Sequence, residues 1–302
     1  MTHKYTFSGH DSFQCRLFWL KKGYDFLQKG HAFSADDAPV RLGVGNNMVR
    51  SIRYWLRAFG LTDEADQPSQ LARLLFDETR DDQPALDPFL EDQTTLWLLH
   101  YQLIKTRYAS TYWLIFNELR KRKIEFSRED FIRYVSVKAG QEQFSANPGT
   151  VGDDFVVFTK LYLRGTKQSK EREDSFSGIL TELDLLQTLE KKSEDGKTTF
   201  LAYKIEPAER EEIPPELLLY CLLDTPRLGL SISLETLEHE PDMPCAVFAM
   251  NRAGLLQKIE ALTARYPFVT YRDQAGVREL QFKEKPTDPF LPLRQHYAPS
   301  LV

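Results

Sequence analysis

Leu42-Gly43-Val44-Gly45-Asn46-Asn47-Met48-Val49-Arg50-Ser51-Ile52-Arg53-Tyr54-Trp55-Leu56-Arg57-Ala58-Phe59-Gly60-Leu61 is the stretch that decides how this chain folds. Gly43, Gly45 and Asn46 make a tight turn that absorbs positive φ. Val49, Ile52, Trp55 or Leu56, and Phe59 then recur at helical spacing, which predicts a helix over 46–59 with one buried stripe. Gly60 ends it as the residue after the cap. Asn46, Arg50, Arg53 and Arg57 fall at i, i+4, i+7 and i+11 and share the opposite, exposed face. Upstream, Ser34 and Asp36 cap a short helix carrying Val40 and Leu42, which Pro39 is expected to shorten or distort. Helix, glycine turn and basic second helix form the helix-turn-helix pattern, whose second helix fits the DNA major groove. Asn46 and Asn47 would approach base edges, and Arg50, Arg53 and Arg57 would meet guanine or phosphate. The competing reading is a solvated arginine face with no ligand.

The full chain has 302 residues, with 39 Lys+Arg against 44 Asp+Glu and a net charge of −5. Its 42% apolar and 27% charged content excludes a disordered chain, a fibrous repeat and a wholly basic nucleic-acid coat. Charge is unevenly spread: +5 over residues 1–60, −8 over 61–100, +5 over 101–140, −3 over 141–200 and −4 beyond. Such blocks suggest faces with different partners. Cys15, Cys221 and Cys245 form no C-x-x-C pair and read as buried apolar residues. The start resembles no secretory leader and no apolar run reaches membrane-spanning length, so a cytoplasmic protein is expected.

Outward from 42–61, residues 62–95 read as an acidic, proline-interrupted connector around a helical turn at Leu71–Phe76. An aromatic helical region runs from Thr94 to Arg120, broken near Tyr108-Ala109-Ser110. Lys121, Arg122 and Lys123 follow it as candidate phosphate contacts, or as ordinary cations at a helix C-terminus. Ser127 caps a helix to about Ala139, and Asn147-Pro148 opens another with Phe155, Phe158 and Leu161 inward and Asp153 and Asp154 exposed. Residues 164–178 read as a charged loop, with a turn at Glu194-Asp195-Gly196-Lys197 and a strand over 198–205. The last stretch predicts helices at 216–223, 234–237 and 252–264, then strands 268–271 and 278–282 around Asp273-Gln274-Ala275-Gly276. Arg272 and Arg278 would flank that wing and contact DNA backbone. The expected fold is mainly α with small β-hairpins, two or three winged helix-turn-helix-like units in tandem, divided as 1–95, 96–205 and 206–302.

No nucleotide-binding, hydrolase or metalloprotease motif occurs, and the six histidines are too dispersed for a zinc site. His10-Asp11 is the one adjacent His–carboxylate pair, and neighbours in an extended chain point opposite ways. Asp81-Asp82 and Glu211-Glu212 read as solvated charge. No catalytic residue, metal site or cofactor is expected.

FSGHDSFQCRLFWLKKGYDF (7–26) and LGVGNNMVRSIRYWLRAFGL (42–61) resemble the N-terminal signature of an uncharacterised bacterial family, the domain-of-unknown-function family number four-thousand-and-seven. The resemblance extends through most of the chain. It implies a setting in DNA phosphorothioation, restriction-modification or anti-phage defence loci, beside a phosphoadenosine-phosphosulfate-reductase-like modification protein. It carries no established catalytic residue. The expected role is therefore a non-enzymatic DNA-binding or scaffolding component that binds double-stranded DNA, with a two-fold dimer as the ordinary arrangement for a helix-turn-helix protein. Two alternatives are an adaptor that docks a modification enzyme through its basic face, and a cryptic metal-dependent nuclease.

Overall fold

Each of the first three helices is closed by a glycine in the left-handed region. α1 (Trp19–Gln28) ends at Gly30, α2 (Ala38–Leu42) at Gly43 and α3 (Asn46–Ala58) at Gly60, with φ of 76°, 60° and 65°. The residue after each glycine donates its N–H back into the last turn: His31 to Phe26 O, Val44 to Pro39 O and Leu61 to Leu56 O. That pairing satisfies carbonyls a helix end leaves open. Pro39 lies in the first turn of α2, where a missing N–H costs nothing, and the helix is only five residues long.

The computed structural model describes residues 5–79, 84–164, 177–193, 196–274 and 276–298. Residues 165–176 of the expected 164–178 loop, together with Asp81, Asp82, Glu194, Asp195 and Ala275, lie outside the described residues. Within them the protein is mainly α with two small three-stranded antiparallel sheets. Among the described residues no helix is long and apolar enough to cross a membrane.

Two compact units divide between Glu206 and Pro207. In the first, α4 (Gln70–Phe76), α5 (Gln93–Lys105) and α6 (Ser110–Leu114) follow the helix-turn-helix segment. A π-helical turn, Ile115–Leu119, leads into α7 (Arg120–Arg122), then β1 (Glu125–Phe126), α8 (Arg128–Glu142), α9 (Pro148–Tyr162), β2 (Gln187–Lys192) and β3 (Thr199–Lys204). α5 is buried on all sides from Thr94 to Ile104, so it shows no single apolar stripe, and Thr94, Thr95, His100 and Gln102 are buried among its apolar residues. Segments 1–95 and 96–205 both lie inside this unit. Ser110 N–H donates to Thr6 O at 3.2 Å and Ile179 N–H to Cys15 O at 3.0 Å, which ties the N-terminal segment to later elements.

The second unit holds α10 (Pro215–Leu223), β4 (Ser231–Ser233), α11 (Leu234–His239), α12 (Pro244–Val247), α13 (Arg252–Arg265), β5 (Val269–Gln274), β6 (Val277–Phe282) and α14 (Leu291–Tyr297). The sheet orders are β1-β3-β2 and β4-β6-β5. In both units a short strand precedes a helical stretch (α8 and α9 in the first, α11, α12 and α13 in the second) and a hairpin follows, and the last strand of the hairpin pairs with the first strand of the unit. The three cysteines are buried, and burial pushes the Cys15 thiol pKa up.

Candidate nucleic-acid interface

The stripe of α3 packs as its spacing requires: Ile52, Trp55 and Phe59 are fully buried, and Val49 and Leu56 nearly so. Trp55 also donates its indole N–H to Phe13 O at 3.0 Å, which fixes α3 against the N-terminal segment. The opposite face is graded. Asn46, Asn47 and Arg50 stand exposed over the first two turns, while Arg53 and Arg57 are only partly exposed.

Each arginine of that face meets a carboxylate. Arg50 Nε donates to Asp11 Oδ2 at 2.7 Å, and its Nη2 donates to Asn47 Oδ1 at 2.8 Å. Arg53 grips Asp66 with two nitrogens, at 2.9 and 2.8 Å. Arg57 reaches the same Asp66 at 2.9 Å and the Glu64 carbonyl at 2.6 Å. Asp66 (φ 61°) sits in a loop that Asp63 organises by accepting the N–H groups of Ala65 and Gln67. Burial works against the Arg57 guanidinium, but its bonds to Tyr108 and Asp66 hold its pKa above the ordinary arginine value. The arginines therefore divide. Arg50, 61% exposed, has a pairing that water or another anion can replace, since exposed ion pairs contribute about 0–1 kcal/mol. Arg57, 18% exposed, anchors the 62–68 loop.

Asp11 reaches Arg50 because the segment Ser8–Ser12 is held in an unusual path. Ser8, Gly9, Asp11 and Ser12 all have positive φ. His10 turns inward and Asp11 outward, but the chain here is a left-handed turn, closed by Phe13 N–H on His10 O, and not the extended chain the sequence suggested. His10 Nδ1 accepts from Ser12 N–H at 3.1 Å, leaving Nε2 to carry the hydrogen and donate to Asp154 Oδ1 at 2.8 Å. Asp154 also accepts Ser8 N–H at 2.7 Å and the Thr111 hydroxyl at 3.1 Å. Asp154 thus departs from its expected place on the exposed face of α9: it is buried, because the N-terminal segment covers it with donors. Asp153 stays exposed. The buried His10–Asp154 pair ties the N-terminal segment to α9.

The other candidate cations are placed similarly. Lys121 is exposed on α7. The Arg122 guanidinium lies 5.4 Å from the Tyr134 ring centre, and Lys123 donates to Asp130 at 2.6 Å. Across the second hairpin, Arg278 contacts the facing Asp273 at 3.1 Å, and Arg272 is in register with Glu279. Sequence reasoning noted Asp11 only as the neighbour of His10, and foresaw neither its pairing with Arg50 nor that of Asp66 with Arg53 and Arg57. The acidic 61–100 block was the sole signal for Asp66. Among the described residues no group of three or more His, Cys, Asp or Glu comes together to hold a metal ion.

The family described as "Protein of unknown function (DUF4007)" matches residues 7–297. Two solved structures share the fold, "Magnesium ion-bound SspB crystal structure" and "SspB crystal structure", with TM-scores of 0.82 and 0.80. Each is 28% identical over 97% of this chain and 88% of the other. No curated protein matches.

Proposed function

The chain belongs to the DUF4007 family of unknown function, and from that premise we propose that it is a DNA-binding component of a bacterial DNA sulfur-modification or defence system. The sulfur-modification setting rests on the family resemblance alone. The DNA reading rests on one observation: Asn46, Asn47 and Arg50 stand exposed over the first two turns of a helix that follows a glycine turn and that Trp55 ties to the N-terminal segment. The N-terminal residues of a second helix are the ones that meet base edges in helix-turn-helix docking. The repeated strand order, with a short strand before a helical stretch and a hairpin after, supports reading 125–204 and 215–282 as winged helix-turn-helix modules. Their hairpins would then lie along phosphate, with Arg272 and Arg278 on the second. Double-stranded DNA would exchange with Asp11 at Arg50, while Arg53 and Arg57 keep Asp66.

Duplex binding measured by fluorescence anisotropy over a salt series tests this. Wild type should bind, with log K falling by about 0.9 per log salt for each phosphate neutralised. Asn46→Ala/Arg50→Ala should lose about tenfold or more in affinity, from one base contact and one charge. No duplex binding by the wild type, or an unchanged double variant, would sink the reading. In the first case, nuclease-resistant capture of a modification enzyme would favour the adaptor.

A second reading, metal-dependent DNA cutting, draws on the magnesium bound in the similar SspB structure. The described side chains do not fit a dense carboxylate cage. Nicking of supercoiled plasmid with magnesium, abolished by chelator, would favour it over a purely binding role.

A further inference from the structure

We propose that the cleft between α1 and α2 is a phosphate subsite, built from Lys22, Lys29, His31 and Arg41. Lys22, Asp25 and Phe26 fall at i, i+3 and i+4 on α1, and with Lys29, the residue that caps its C-terminus, they line one wall. The turn at Gly30 then folds the chain back, so the His31 ring packs on Phe26 with centroids 5.2 Å apart. Arg41 of α2 closes the other side, its Nη1 3.5 Å from His31 Nε2. The cleft encloses about 410 Å³.

Its charge is unbalanced. Asp25, the one carboxylate in the lining, is engaged by Lys21 at 2.7 and 2.9 Å. Lys21 also holds Glu78 at 2.8 Å. Burial disfavours the Lys21 ammonium, but its bonds to Asp25 and Glu78 keep its pKa above the ordinary lysine value, so it stays a cation beside the cleft. Asp37 is taken by Arg41. Lys22 and Lys29 are exposed and have no ion-pair partner among the described residues. Two lysine ammonium groups, an imidazole and a guanidinium around one opening suit a tetrahedral anion with several acceptor oxygens.

Place adds to composition. Arg41 and Leu42 lie on the helix that precedes the turn into α3, and in helix-turn-helix docking that first helix crosses the nucleic-acid backbone. The proposal rests on the DNA reading for its source of phosphate: a backbone phosphodiester beside the base pairs that face α3. Free phosphate or a nucleotide would offer the same chemistry.

Two measurements on Lys22→Gln/Lys29→Gln separate these sources. Both side chains are exposed, and an unchanged melting temperature verifies the fold. In the first, the salt slope of duplex binding should fall by about two, and affinity at moderate salt by more than tenfold. In the second, the His31 ring resonances are followed while inorganic phosphate is added. They should shift saturably in the wild type and at least tenfold more weakly in the variant. Wild-type duplex binding with unchanged slope and affinity in the variant, and a silent His31, overturns the subsite and leaves the DNA reading standing. No duplex binding, with a saturable His31 response that the variant loses, overturns the DNA reading and supports a site for free phosphate. A silent His31 without duplex binding overturns both.

Discussion

Asp154 is a carboxylate buried to 3% exposure, and it is tolerated because Ser8, His10 and Thr111 each give it a hydrogen bond. Asp154→Ala would strand two buried donors, His10 and Thr111, and the part-buried Ser8 N–H, so unfolding in urea should show a loss of about 3–5 kcal/mol. Asp154→Asn, which keeps an acceptor, should cost less. Asp130 offers a pH test. Burial raises its pKa, but the bond from Lys123 and the Ser127 cap outweigh that, and the net pKa lies below the ordinary aspartate value. A depressed folded pKa means its stabilisation is complete above the unfolded value near ~4 and is lost as pH falls through the folded one. Melting temperature from pH 6 to pH 2 should therefore drop less steeply in Asp130→Asn than in wild type. The Ser127 cap was legible as a motif. The Asp154 cluster was not, because two adjacent acids on a helix read as solvated until a remote segment is known to cover one of them.

At the scale of the elements, glycine punctuation was the most legible signal. Gly60 was expected after α3 and Gly43 in the turn before it, and both take left-handed φ. A Cβ on Gly43 would meet nothing within 4 Å, so Gly43→Ala isolates the backbone cost, about 1–2 kcal/mol. Thermal unfolding should show a melting temperature lower by several degrees. At Gly9 (φ 102°) an added Cβ would also meet the Tyr54 ring at 2.7 Å, so Gly9→Ala should cost more. β1 and β4 escaped sequence reading for a physical reason: two or three residues cannot show a period of two. The π-helical turn at Ile115–Leu119 hid similarly inside the aromatic helical region, whose spacing fits any helix.

For the whole molecule, charge arithmetic by block pointed to a basic N-terminal region but could not say where its charge is spent. Asp11 comes from the same basic block and Asp66 from the acidic one, and together they engage all three arginines of α3. What remains outward on that helix is its first turn. The most direct measurement is photo-crosslinking from a reactive group placed at position 47 of the full chain to bound duplex DNA, with an identical group at exposed Val137 of α8 as reference. The account predicts efficient crosslinking at 47, weakened as salt rises and abolished by unlabelled duplex. Duplex binding that gives no crosslink at 47 would contradict the claim that the first turn of α3 faces DNA.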